Sequence, residues 1–400
     1  MNVLIVESPS KAKSINKYLG SDFKVLASVG HVRDLSAKND AIDTENDFQM
    51  KWETSDRGKK VIKEITDAAK KSENLYLATD PDREGEAIAW HVEKLLRDNA
   101  ALSKLNIHRV TFNEITKNAV LESLKEPRKI DENLVNAYLA RRALDFLVGF
   151  TLSPVLWRKL PGSKSAGRVQ SVALRIISER ELEIEKFNPE EYWSIQGKFL
   201  NKDKKDINAR LTVFEGNKID KLDIKNEKQA TNIYDTIKNS KFKVGNIIKK
   251  EAKRNPYAAF TTSTMQIESS RKLGLSASQT MRTAQRLYEG TEINGDTTGL
   301  ITYMRTDSVI MSNEAINQVR SFVSENYGAE YLPDSPRIYK SKAKNAQEAH
   351  ECIRPTNINL TPKDIKQFGE ASASLMSSLL VFKLRTSQIF ILPLPLDETK

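Results

Sequence analysis

Two stretches of the chain repeat one plan. Residues 2–6, NVLIV, form a short apolar run, and ESPSKAKSINKYLG follows. Residues 74–80, NLYLATD, form another, and REGEAIAWHVEKLLRD follows at 83–98. An unbroken apolar run suits a strand buried on both faces, the habit of parallel sheets. The first follower carries helix punctuation: Ser8 to cap, Pro9 for the first position, Gly20 for the stop. The second opens with acids, which complement the dipole of a helix start. Strand, loop and helix, twice over, predict an α/β domain with a parallel sheet over about residues 1–130.

The remainder reads differently. Residues 131–188 hold two helical stretches, DENLVNAYLARRALDFLVGF and GRVQSVALRIISERELEIEKF. Residues 189–260 alternate apolar and polar with lysine-rich breaks, which predicts a β-rich segment. Helices return over 261–367, with Ser312 as a cap and Gly328 as a stop. Within them GLITYMRTDS (299–308) reads as a strand ending in a phenol, with Arg305 and Asp307 at alternating positions.

Composition narrows the class. With 400 residues, 39% of them hydrophobic, the chain can build two to four cores. Its formal charge is +10, from 63 basic and 53 acidic residues, and the surplus favours an anionic partner such as nucleic acid. Cys352 is the only cysteine, which excludes an internal disulfide and a multi-cysteine zinc site. The N-terminus becomes charged too soon for a signal peptide, and no apolar run reaches about 18 residues. The expectation is a soluble, cytoplasmic protein, away from membranes.

In TDPDREGE (79–86), Asp80, Asp82 and Glu84 fall at steps of two. On a helix these would not share a face, but on an extended loop they can. Such hard oxygen donors suit Mg²⁺. Glu7 ends the first strand, so four carboxylates can converge beyond the carboxyl ends of neighbouring strands, where open α/β sheets bind ligands. The competing reading is an ordinary helix start, with Asp82 capping and Glu84 and Glu86 offsetting the dipole.

The basic motifs are individually weaker. GHVRDL (30–35) sets His31 and Arg33 after a glycine, and Lys11 sits in a first helical turn where phosphates bind well. ARRALD (140–145) puts Arg141, Arg142 and Asp145 on an otherwise apolar helix, where adjacent arginines are either solvated or line a groove. LPGSKSAGRVQS (160–171) approaches a nucleotide loop, but Arg168 stands where that loop has lysine, Val169 where it has a hydroxyl residue, and no β-branched strand precedes it. An ATP site is rejected. A glycine loop carrying Arg168 and Gln170 could still hold a nucleic-acid backbone.

Taken in order, VLIVESPSKAKSI, GHVRDL, YLATDPDREGEAIAWH, FNEIT, SAGRVQS, FTTSTMQIESSRKLG, GLITYMRTDS and AQEAHECIRPT resemble the type IA DNA topoisomerases, and among them the bacterial topoisomerase I group, over residues 1 to about 367. The resemblance implies a Toprim-like α/β domain followed by the helical and β-rich domains of the family's arch. It implies that Tyr303 attacks single-stranded DNA to form a 5′-phosphotyrosine, and that the enzyme relaxes negative supercoils with Mg²⁺ and without ATP. Arg305 would face the phosphate, with Asp307 orienting it. Glu7 and Lys11 would serve the leaving 3′ oxygen, and His350 would support by a hydrogen bond. Glu7, Asp80, Asp82 and Glu84 would hold the metal. His31, Arg33, Arg141, Arg142, Asp145, Trp157, Ser165, Arg168 and Gln170 lie in stretches matching DNA-contacting segments. A nucleoid-associated monomer is implied. A weak phenol, with an ordinary pKa of about 10, does need such help as a nucleophile.

Two departures stand out. Ala259 replaces a proline usual in the family. Residues 368–400 do not resemble the helix that closes the family's tyrosine-bearing domain, and the return strands of the ring are missing, as in a truncated chain. The alternative expectation is therefore a chain that binds single-stranded DNA without completing relaxation. A metal nuclease or primase explains DPDRE but leaves YMRTDS and SAGRVQS unexplained.

Overall fold

In the computed structural model, the described residues are 1–201, 203–249, 257–293, 296–340 and 351–360, with Ser372 and Leu375. The expectations placed on His350 and, those two residues aside, on the tail from 368 lie outside them. The chain divides into two compact units, Met1–Ser165 with Lys253–Lys400, and Ala166–Ala252.

The first unit is built on a four-stranded parallel sheet. β1 (Asn2–Val6) runs into α1 (Pro9–Leu19), with Ser8 capping and Pro9 opening the helix as the sequence predicts. β2 (Phe23–Ala27) follows, then short strands β3 (Arg33–Leu35), β4 (Ile42–Asp43), β5 (Gln49–Met50) and β6 (Trp52–Thr54), paired β3 with β6 and β4 with β5. Next come α2 (Asp56–Ala69), β7 (Asn74–Leu77), α3 (Arg83–Arg97), β8 (Asn106–Arg109) and α4 (Lys117–Ser123). The sheet order is β2-β1-β7-β8, all parallel, which leaves β1 and β7 central. Their carboxyl ends open side by side, and so deliver Glu7 and Asp80 to one place.

α5 (Glu132–Lys159) is the long helix read from the sequence, and it packs on α3. Within the second unit, α6 (Gln170–Glu185) is followed by hairpins β9 (Gln196–Leu200) with β10 (Asp206–Arg210) and β11 (Val213–Phe214) with β12 (Asn217–Lys218). The β-rich expectation covers these strands only. α7 (Glu227–Ile237) is a helix, because Asn226 caps it by accepting from the Gln229 N–H.

The first unit resumes with α8 (Thr262–Leu273), α9 (Ala277–Glu289), the hairpin β13 (Thr291–Ile293) with β14 (Asp296–Thr298), and α10 (Asn313–Tyr327), capped by Ser312. One buried cluster joins Leu4, Val6 and Ile15 of the sheet side to Leu287, Tyr288, Leu300, Ile301 and Tyr303. GLITYMRTDS is not a sheet strand. Its N–H groups go to separate neighbours: Gly299 to Ile115 O, Leu300 to Leu287 O, Thr302 to Arg354 O and Tyr303 to Asn113 O. Four tethers on three segments satisfy the buried backbone as a ladder would. No helix among the described residues is long and apolar enough to cross a membrane.

Candidate active site

The acidic loop bridges the end of β7 and the start of α3. Asp82 is the N-cap of α3, its Oδ1 accepting from the Gly85 N–H at 2.8 Å. The helix-start reading of the acids is therefore correct for Asp82, but only for one of its oxygens. Oδ2 accepts the Tyr303 hydroxyl at 2.7 Å. Asp80 lies one step earlier, with its Oδ1 accepting from Lys11 Nζ at 2.6 Å and from the Tyr288 hydroxyl at 3.0 Å. Lys11 Nζ also reaches Glu7 Oε2 at 2.8 Å, and the Asp80 N–H donates to Glu7 Oε1. Glu84, in the first turn, receives Arg305 at 3.0 Å and faces His31 at 3.6 Å. Arg305 lies 3.9 Å from Asp82 Oδ2.

Two local features hold this loop in place. A Cβ on Gly85 would come within 2.2 Å of the Asp80 carbonyl oxygen, so only glycine lets α3 start this close to the loop. The Thr79 hydroxyl donates to the Gly85 carbonyl at 2.6 Å and closes the turn. On the facing side, Val29 has φ of 55°, costly for a β-branched residue, and Gly30 follows at 84°. That turn brings His31 over Glu84.

Burial sets the electrostatics. Lys11 is buried and charged: desolvation would lower its pKa, but Asp80 and Glu7 outweigh it and the net direction is upward. Asp80 is pushed up from the usual carboxylate range by burial and by Glu7, with Lys11 opposing. Glu84 is pulled down to about 2 by its bond to His31, against burial, with Arg305 adding. Burial, followed by Asp80 and Asp82, drives the Tyr303 phenol far above its ordinary pKa, and Arg305 only partly offsets them. Tyr303 is thus a protonated donor to Asp82.

Glu7, Asp80, Asp82 and Glu84 line one cavity of about 420 Å³ together with His31 and Arg305. Their all-oxygen donor set fits a hard divalent cation such as Mg²⁺. In this arrangement their oxygens are spread over Lys11, Tyr288, Tyr303 and Arg305. Among the described residues no group of three or more His, Cys, Asp or Glu side chains is gathered around one point where a metal ion would sit.

A second cavity, of about 590 Å³, adjoins the first. His31, Arg141, Arg142, Asp145, Arg305 and Asp307 line it, beside Asp34, Tyr138 and Thr262. With Asp82 and Glu84, which line it too, eight residues expected from sequence share one cleft. The two arginines prove to be groove-lining: Arg142 pairs with Asp34 at 2.7 Å, while Arg141 lies 3.9 Å from Asp145. Arg33 does not line this cleft. Its guanidinium sits between the Trp52 and Trp90 rings, at 5.6 and 5.1 Å, and donates to His91 Nδ1 at 2.5 Å. Trp157 is exposed and donates to the Lys164 carbonyl at 2.6 Å, and Ser165 is exposed as well. Arg168 and Gln170 belong to the second unit, where Gln170 opens α6.

Sequence reasoning missed three residues. Tyr138 stacks on His31, centroids 5.4 Å apart, and burial pushes its phenol up to about 12. Tyr288 bonds Asp80. Arg109 is completely buried behind the loop, donating to Glu86 and to the carbonyls of Leu77, Thr79, Val110 and Asp80. The apolar spacing around Tyr288 marked it only as core, and a lone arginine on a strand carries no signal of its own.

Known proteins resemble this chain over most of its length. A DNA topoisomerase family model matches residues 129–375, and a Toprim domain model matches 2–115. DNA topoisomerase 1 of Rickettsia bellii is 55% identical over 368 residues, which is 92% of this chain and 46% of the relative. The Zymomonas mobilis enzyme of the same name is 52% identical over 90% of this chain and 29% of its own length. The solved full-length topoisomerase I from Thermotoga maritima superposes with a TM-score of 0.78 at 36% identity, covering 96% of this chain and 61% of that one. The chain spans less than half the length of these curated relatives.

Proposed function

The chain belongs to the type IA DNA topoisomerases, in the bacterial topoisomerase I family, and from that premise we propose that it cleaves and reseals one strand of DNA through Tyr303. The observation that carries this reading is the meeting of Tyr303, Asp82, Arg305 and Glu84 at the wall of a cleft lined by Arg141 and Arg142.

In the proposed step the Tyr303 oxygen attacks phosphorus, and the bond from phosphorus to the 3′ oxygen breaks. The phenol already donates to Asp82, so Asp82 is the acceptor for its proton. Arg305 stabilises charge on the phosphate. Lys11, charged between Glu7 and Asp80, is the proton donor for the leaving 3′ oxygen. Resealing runs the same steps backward. One ester replaces another, so bond energy is conserved and no ATP is consumed. A magnesium ion held by Glu7, Asp80, Asp82 and Glu84 would supply positive charge beside the phosphate. Single-stranded stretches of negatively supercoiled duplex are the substrate, because the strand must enter the cleft unpaired, and relaxation of those supercoils is the outcome for the whole enzyme. His31, Arg141, Arg142 and Asp145 hold the strand, with Asp307 at the cleft wall.

A second reading has its own support. The chain spans under half of its curated relatives, so it could bind single-stranded DNA without completing relaxation. An adduct assay separates the two. An oligonucleotide labelled at its 3′ end is incubated with protein and Mg²⁺, then quenched in denaturant. Label should travel with the wild-type chain and not with Tyr303→Phe. Unlabelled wild-type protein that still retards the oligonucleotide would leave only the binding reading.

A further inference from the structure

Tyr288 has no part in the step just described, yet it touches both of the groups that matter most to it. It is the penultimate residue of α9 and is fully buried. Its hydroxyl donates to Asp80 Oδ1 at 3.0 Å, the oxygen that also takes Lys11 at 2.6 Å. Its ring meets the Tyr303 ring nearly edge to face, centroids 5.2 Å apart and planes at 65°. Lys11 Nζ lies 5.2 Å from its centroid.

The backbone ties it to the nucleophile as well. The Leu287 carbonyl accepts from the Leu300 N–H at 2.7 Å. A Cβ on Gly299 would come within 2.6 Å of the Tyr288 carbonyl oxygen, so the segment leading to Tyr303 lies directly against α9. For packing alone a phenylalanine would serve better here, because a buried hydroxyl is costly unless it is bonded. The bond to Asp80 is what the hydroxyl gains. With two donors on Oδ1, only Oδ2 of Asp80 is left for a cation.

We propose that Tyr288 is a positioning residue that couples the acidic cluster to the nucleophile: its hydroxyl fixes the Asp80 carboxylate, and its ring fixes the Tyr303 phenol. The proposal rests on the transesterification reading for Tyr303, but its first test does not. Mn²⁺ binding to the 400-residue chain without DNA is followed by the loss of the free-ion paramagnetic resonance signal. Tyr288→Phe keeps the ring contacts and removes the bond, and Mn²⁺ should bind about tenfold more weakly, as when a partner of a ligating carboxylate is lost. In an Asp80→Asn background the same substitution should change nothing further.

The second readout is the covalent adduct measured across a Mg²⁺ series. Tyr288→Phe should need about tenfold more Mg²⁺ to reseal the adduct and should recover at saturation. Tyr288→Leu, which also removes the ring edge, should not recover, and should form less adduct. A purely structural role would depress all Mg²⁺ concentrations alike. Wild-type Mn²⁺ affinity in Tyr288→Phe, or an equal loss in the Asp80→Asn background, overturns the proposal. If wild-type protein forms no adduct, the topoisomerase reading fails while the Mn²⁺ titration still decides the role of Tyr288.

Discussion

Glu84 and Glu86 lie two residues apart on α3 and carry the same carboxylate, yet they serve opposite faces of it. Glu84 looks into the cleft, half exposed, and meets Arg305 and His31. Glu86 looks back into the protein with no exposed surface. There it accepts from Arg109 at 2.9 Å, from Arg128 at 2.7 Å and from the Asp131 N–H at 2.7 Å. The buried knot is complete: its carboxylate is satisfied by Arg109, Arg128 and the Asp131 N–H, and its arginine also donates to four carbonyls. Glu84 and its neighbours Asp82 and Asp80 take donors from far along the chain: Arg305, Tyr303 and Tyr288 respectively. One side of the helix faces the packed interior, the other the cleft.

The largest expected effect lies on the buried side. Arg109→Met keeps the length of the side chain but removes the guanidinium. It leaves the Leu77, Thr79, Val110 and Asp80 carbonyls without that donor and Glu86 with less compensation. Breaking such a buried pair costs about 3–5 kcal/mol, to be read as a fall in the urea midpoint. A loss below about 1 kcal/mol would mean the knot behaves like a surface pair, and the contrast with the cleft would collapse.

On the cleft side the effect should move from stability to chemistry. Arg305→Ala removes a half-exposed charge, so the urea midpoint should hold. Adduct formation should slow by about 100-fold or more, the usual result of deleting one group that stabilises charge in a transition state. Slowing together with an equal loss of stability would show that Arg305 is part of the scaffold.

How much of this was legible follows from the same contrast. The cleft residues announce themselves because chemistry demands unusual neighbours: a phenol two residues from a guanidinium, three acids at steps of two. The sheet was legible too, since NVLIV and NLYL must be buried on both faces. Arg109 and Glu86 were not. Their partner choice comes from tertiary packing across 23 residues of chain, and each alone resembles a solvated charge. The surroundings of Arg33 were hidden for a related reason: a cation beside a glycine turn suggests phosphate, while Trp52 and Trp90, which enclose it, arrive from two other segments.

His91, on the packed side of α3, gives a smaller effect with a definite sign. Burial, then Arg33 and His31, hold its pKa down at about 3, against an ordinary 6.5. Between those values the unfolded chain binds a proton that the folded chain does not, so stability falls as pH falls through that window. The slope from this one group is about 1.4 kcal/mol per pH unit near the middle of the window. His91→Gln should flatten the urea midpoint against pH by that amount. An unchanged slope would place the charged imidazole inside the fold.

The smallest effect, and the finest test of the contrast, is at Glu84. Its folded pKa of about 2 lies below the ordinary 4.5, so its contribution to stability is present above pH 4.5 and is lost as pH falls toward 2. The side chain is half exposed, so solvent screening keeps that contribution under about 1 kcal/mol. Glu84→Gln should therefore leave the urea midpoint nearly where it was, unlike any change at Arg109. A carbon-13 NMR titration of the Glu84 carboxyl gives the sharper result. In Arg305→Ala its pKa should rise part of the way toward 4.5, with His31 supplying what remains. A value that stays at about 2 would mean that His31 alone holds Glu84. The link from α3 to the tyrosine segment would then run through the Tyr303 hydroxyl on Asp82 and not through charge.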